Sequence, residues 1–198
     1  MLRIIAILFL LISQSIAFAQ SELETLLTQA RAKRAEKKLD ESDQILNDAF
    51  QLIQTLPEDE RLRSTGEVRN ISGLNALDRN EPQIAIDQFK KSIEAFQKDG
   101  NQSRQRLIVV ASNLFIATKT AGLVDESISS CQYWISLLES SDNLPHTILA
   151  DAIDELADVQ FKANKFEEAV ASMLRMASIY KDKEGANSVS LAKTLLTR

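Results

Sequence analysis

The sequence predicts an all-α fold of stacked helical hairpins, and three observations carry that expectation. Helix breakers are scarce: the 198 residues hold 5 Gly and 3 Pro, against average usage of about 7% and about 5%. Apolar side chains recur at i, i+3, i+4 and i+7, which lines one face of a helix. The pattern also returns every 42 residues, the mark of an array whose units bury their faces on one another. With 44% hydrophobic residues the chain can build a real core, and so few breakers exclude a many-turned β-sandwich.

The first element is the N-terminal run MLRIIAILFLLISQSIAFAQ. Arg3 precedes the apolar residues 4–12, and Ala17-Phe18-Ala19 follows as a small-x-small site, the order of a secretory signal peptide over residues 1–19. The run is shorter than the ~20 apolar residues that span a bilayer, so an uncleaved, tilted anchor is the alternative. Cleavage after Ala19 removes one cation and leaves a repeat domain over residues 20–198, secreted or periplasmic. A single Cys, Cys131, gives such a chain no internal disulfide, so packing must hold it together.

The repeat emerges when Asn80, Gly122 and Asn164 are aligned. Small residues then fall together at Ala85, Ser127 and Ala169, β-branched ones at Ile86, Ile128 and Val170, and larger or softer ones at Phe89, Cys131 and Met173. Ile93, Ile135 and Ala177 follow one turn later. A further copy lies upstream, one residue out of step, with Ser42, Leu46, Ala49 and Phe50 in matching places. A second helical pattern precedes each copy, over residues 23–35, 61–77, 106–120 and 147–162. Asn or Gly at 80, 122 and 164 suits the left-handed residue that ends a helix; Lys37, at the first turn, departs from that pattern. The units run roughly over 21–58, 59–102, 103–144 and 145–184. A last helix is expected over 187–198, as a cap or as the first helix of a fifth unit.

The copy ELADVQFKANKFEEAVASMLRMASIY resembles a tetratricopeptide repeat (TPR). Leu156 and Ala157 match the Leu-Gly place of helix A and Asn164 the turn Gly; Ala169, Met173 and Met176 match the Ala, aromatic and Ala places of helix B. The 42-residue period is similar to that of the kinesin-light-chain subclass, as is the linker DNLPHTILADAIDELA, with Pro145-His146 in reverse order. Phe115 stands where Gly or Ala marks the close helix crossing, Trp134 and Met176 are bulky where Ala is usual, and Ser72 replaces a Leu. The resemblance implies a right-handed α-solenoid of about four units.

Chemistry is sparsely provided. Nucleotide-binding, zinc-protease and serine-hydrolase motifs are absent from the sequence. His146 is the single histidine and falls in an inter-repeat linker, where an exposed side chain is expected; Cys131 reads as a buried, inert thiol. A net charge of −5 excludes a general nucleic-acid binder. No cofactor, metal or catalytic residue is expected. Asp151, Asp154 and Asp158 share one stripe of a helix, read as a solvated face or a ligand-facing ridge.

The resemblance implies a non-enzymatic scaffold that holds a protein or peptide partner against its helix A surface. A sensor input module, or a subunit of a larger signalling or envelope assembly, is the alternative. Matching helix A places are Arg31 and Arg34 in the first unit, and Asn70, Leu74 and Leu77 in the second. The third supplies Val109, Ser112, Ile116 and Lys119, and the fourth Asp151, Asp154, Asp158 and Phe161. That order predicts a groove basic at one end, apolar in the middle and acidic at the other. It suits a partner segment with apolar anchors and a cationic end, with no membrane contact beyond the signal peptide.

Overall fold

A computed structural model describes residues 2–141 and 144–185, with side chains from residue 14 onward except at residue 101. The expected helix 187–198 lies outside the described residues. Eight α-helices are found among them: α1 (Leu2–Ala35), α2 (Leu39–Ile53), α3 (Glu58–Asp78), α4 (Pro82–Asp99), α5 (Arg104–Thr120), α6 (Val124–Glu139), α7 (His146–Lys162) and α8 (Phe166–Glu184). A 3₁₀ turn, Gly100–Ser103, joins α4 to α5. The chain forms two compact units, Met1–Arg106 and Leu107–Arg198.

Four helical hairpins are closed by the same turn. Lys37, Asn80, Gly122 and Asn164 take φ of 61°, 61°, 72° and 59°. In each turn the residue after the left-handed one donates its N–H back to a carbonyl five residues earlier, as Glu81 to Ala76 at 2.9 Å and Lys38 to Lys33 at 2.9 Å. Orphan carbonyls of the ending helix are thereby satisfied. Lys37 therefore makes the turn despite its side chain, at a cost of about 1 kcal/mol relative to Gly. Pro sits just before α3 and α7, as Pro57 and Pro145, where its missing N–H costs nothing. α1 runs upstream of the expected residue 23 because the run 2–20 contains neither Gly nor Pro to stop it.

In the first unit, Leu23, Leu27 and Ala30 of α1 pack with Leu46, Ala49 and Ile53 of α2 and Val68 and Ile71 of α3. A buried polar chain ties these helices: Ser42 Oγ donates to Ala30 O (2.9 Å), and Asn75 Nδ2 donates to Ser42 Oγ (2.9 Å). In the second unit, Phe115 of α5, Ile128, Cys131, Ile135 and Leu138 of α6, and Ala150, Ile153 and Leu156 of α7 form one cluster that reaches Met176. Here too polar pairs repeat with the 42-residue period. Thr118 and Ser130 hydroxyls lie 3.0 Å apart, and Ser172 Oγ donates to Gln160 Oε1 at 2.7 Å.

At facing positions of helix A and helix B a large side chain on one helix meets a smaller one on the other in several units. A Cβ on Gly73 would meet Phe89 at 2.5 Å, and one on Gly66 would meet Phe96 at 2.4 Å. One period later the Gly73–Phe89 places hold Phe115 and Cys131, both in the same cluster, and one further they hold Ala157 and Met173. The Gly66–Phe96 places become Ile108 with Leu138, then Ala150 with Tyr180. Phe115, out of pattern when read alone, is compensated by the small Cys131 across from it. Its ring stacks on Trp134 with centroids 6.2 Å apart.

Candidate functional site

The candidate residues lie on α1, α3, α5 and α7, the first helix of each hairpin. In the first unit the cations are already engaged. Arg31 Nη2 donates to Glu67 Oε2 at 2.7 Å, and Arg106 Nε donates to the other oxygen, Oε1, at 2.6 Å. Arg34 Nε lies 2.9 Å from Asp78 Oδ2, whose second oxygen is 3.5 Å from Lys37 Nζ. The basic end read from Arg31 and Arg34 is thus a set of internal ion pairs. Glu67 and Arg106, which the sequence reading left out, line a cleft of about 500 Å³ with Arg31, Arg63 and Leu27. Asn70, Leu74 and Leu77 of α3 are half-buried.

In the second unit α5 presents Val109 and Ile116, two turns apart, at 53% and 48% exposure. Ser112, between them, donates back to Val109 O at 2.8 Å. Lys119 closes the stripe: its Nζ donates to Glu155 Oε2 at 2.5 Å, lies 3.5 Å from Asp158 Oδ2, and sits 5.5 Å from the Phe115 ring centroid. The carboxylates beside Lys119 hold its pKa above the ordinary lysine value against the opposing effect of burial.

On α7, Asp151 is exposed and Asp154 half-buried. Asp158 accepts a hydrogen bond from Lys162 Nζ at 2.7 Å, and this bond with the Lys162 and Lys119 charges holds its carboxyl below the usual aspartate value. Asp151 and Asp154 lie toward the start of α7. There Tyr180 is pushed up from the ordinary tyrosine pKa, by burial first and then by Asp151, Glu184 and Asp154. Phe161 ends the stripe at 60% exposure, its ring edge against Phe166 with centroids 5.3 Å apart.

His146 differs from its expectation. It is the first residue of α7, not a linker residue, and is half-buried, with Nε2 3.0 Å from Glu184 Oε1 and its ring edge-on to Tyr180. Cys131 is fully buried; its Sγ donates to Ala152 O at 3.3 Å, and burial with the nearby Glu155 charge pushes the thiol up to about 12. Among the described residues no group of three or more His, Cys, Asp or Glu is placed to hold a metal ion. Nor is any helix among them long and apolar enough to cross a membrane.

One signal could have revealed the missed partners. Arg31–Glu67 and Lys119–Glu155 are both 36 residues apart, a little under one period, and each joins the first helices of successive hairpins. Scanning for opposite charges at that separation would have found both.

No family model matches the sequence, and no curated protein does. Solved structures do. The apo form of RapI superposes with a TM-score of 0.68 at 16% identity, over 83% of this chain and 57% of that one. Aspartyl phosphate phosphatase F from Bacillus subtilis gives 0.68 at 14%, over 88% and 44%. The TPR-like repeats of a Podosopora anserina putative kinesin light chain give 0.66 at 17%, over 88% and 82%. The fold is that of the TPR-like repeats. This TPR-like chain spans about half the length of the first two neighbours. All three likenesses extend over both of its units, consistent with an α-solenoid class of fold.

Proposed function

We propose that this chain is a non-enzymatic, exported scaffold that holds a protein or peptide segment against the exposed faces of its first helices. The observation that carries the reading is the half-exposed Val109–Ile116 stripe of α5. Apolar side chains in that position gain about 25 cal/mol per Å² when a partner covers them. Exposed charge pairs contribute about 0.2–1 kcal/mol each, so on α7 the carboxylates orient the partner more than they anchor it. The cationic end of the partner lies, in this reading, against the α7 carboxylates Asp151, Asp154 and Asp158. The catalytic alternative has little to draw on: the histidine is paired to Glu184 and the thiol is enclosed.

Export rests on the N-terminal run. Removal of residues 1–19 leaves α1 with residues 20–35, close to the 17 residues of α5 and of α7. Among the residues whose side chains are described, the fully buried ones on α1, Leu23, Leu27 and Ala30, all lie after the cleavage site, while Phe18 is 72% exposed. The second reading, a regulatory input module or assembly subunit, draws on the two longer neighbours, of which this fold forms about half.

The test is affinity capture from native extracts with the parent chain and with a Val109→Ser/Ile116→Ser variant. A partner retained by the parent and depleted at least about tenfold with the variant, the loss of about 1.4 kcal/mol, supports the reading. Equal recovery by both places the contact elsewhere and overturns it.

A further inference from the structure

One face of α8 departs from the corresponding faces of the earlier second helices. Phe166, Val170 and Leu174 follow one another at intervals of one turn and are 51%, 54% and 63% exposed. With the half-buried Met173 and Ala177 they make one apolar stripe, about 100° wide. Leu174 sets this face apart. Its matching places in the first three units hold Asn47, Lys90 and Gln132, all polar and all exposed. Continuation of the repeat therefore asks for no apolar side chain at that place. On the α7 side, Val170, Met173 and Phe166 line a groove of about 510 Å³ with Phe161 and Ala157, which extends the apolar patch. Contiguous apolar surface of this kind, rimmed by charge, is what a protein contact covers.

The charges beside the stripe decide what fits it. Glu167 lies in the first turn of α8 and Lys181 in the last, with Leu174 midway, seven residues from each. Seven residues are close to two helical turns, so all three share one edge of the stripe, and the two charges stand about 21 Å apart. Among the described residues neither charge has an ion-pair partner, whereas Arg175, on the far side of α8, pairs with Glu139. Turned end for end about Leu174, a second stripe of the same sequence sets lysine beside glutamate at both ends. Laid parallel, it would set like charges together. A surface that complements itself after a two-fold rotation is the surface of a symmetric dimer. We propose that α8 is a dimer interface of this chain. Two copies pack antiparallel through Phe166, Val170, Met173, Leu174 and Ala177, with Leu174 at the two-fold axis and Glu167 of each copy beside the partner's Lys181. The Val109–Ile116 stripe, on α5, takes no part in it.

Sedimentation equilibrium of the protein produced in its native host tests this. The parent should sediment at twice the chain mass at about 100 µM and dissociate on dilution. Leu174→Gln installs the third unit's residue at a site already exposed, so folding is kept and the circular dichroism spectrum should not change. It should raise the dissociation constant at least about tenfold. Lys181→Glu, which sets carboxylates together, should raise it about threefold or more, and Glu167→Lys/Lys181→Glu, which exchanges the charges, should restore the parent value. On mild oxidation Leu174→Cys should form an interchain disulfide, and Glu168→Cys, on the far side of α8, should not. A parent that is monomeric at about 100 µM overturns the proposal. So does a dimer indifferent to Leu174→Gln, a charge exchange that restores nothing, or equal disulfide yields from the two cysteine variants.

Discussion

Replacing Gly73 by Ala should destabilise the protein, although Ala is the better helix former. Gly73 lies within α3, where Ala in place of Gly gains about 0.5–1 kcal/mol from backbone entropy alone. The added Cβ, however, would sit 2.5, 2.8 and 2.9 Å from Cε1, Cδ1 and Cζ of Phe89. Ordinary carbon contacts are about 3.5–4.0 Å, so the ring must retreat by about 1 Å. Phe89 is fully buried, in an interior packed closely enough that neighbours resist such a shift. Overpacking of that kind costs about 1–3 kcal/mol, which leaves a net loss of up to about 2.5 kcal/mol. Urea denaturation followed by circular dichroism should show a lower midpoint at an unchanged slope. In a Phe89→Leu background the same Gly73→Ala change should become stabilising by about 0.5–1 kcal/mol, because the steric term is gone and the backbone term remains. A higher midpoint for Gly73→Ala in the parent would refute the argument, as would a coupling of zero between the two sites.

Three further outcomes are expected. Cys131 should react with a thiol reagent only after unfolding, since it is enclosed and its pKa is raised to about 12; Cys131→Asp, which buries an unpaired charge, should cost about 3–5 kcal/mol in the same denaturation assay. Asp158 has a folded pKa below its ordinary 3.8, so its contribution to stability is present above pH 4 and is lost as the pH falls through the folded value. The acid limb of the stability curve should therefore flatten in Asp158→Asn, and an unchanged limb would mean that the Lys162 and Lys119 pairs do not persist in solution. N-terminal sequencing of the protein recovered from its native host should begin at Gln20; an intact Met1 in a membrane fraction would replace export with anchoring.

The fold was legible because the 42-residue period is carried by many positions at once. Asn80, Gly122 and Asn164 mark their turns by residue type, whereas Lys37 takes the same left-handed conformation with a side chain that gives no such sign. Its turn is imposed by the hairpin it closes, a tertiary cause invisible to local propensity. Phe115 looked like a departure for a similar reason: its fit depends on Cys131, 16 residues away on the facing helix. The exposure of the candidate residues was legible in part. Val109, Ile116 and Phe161 were placed on exposed faces by their helical register. Arg31, Arg34 and Asp158 were read as available charges, but Glu67, Asp78 and Lys119 pair with them from neighbouring helices at separations set by stacking, and Lys162 pairs with Asp158 one turn along α7.

The central claim is that the exposed face of the first helices grips a partner through apolar anchors and orients it through carboxylates. It is tested most directly by titrating the captured partner against three forms of the chain over a range of salt. The parent, Val109→Ser/Ile116→Ser and Asp151→Asn/Asp154→Asn should separate cleanly. The first variant should lose at least about tenfold in affinity at every salt concentration. The second should lose less, and its affinity should fall less steeply with salt than the parent's. Three superimposable titrations would contradict the account.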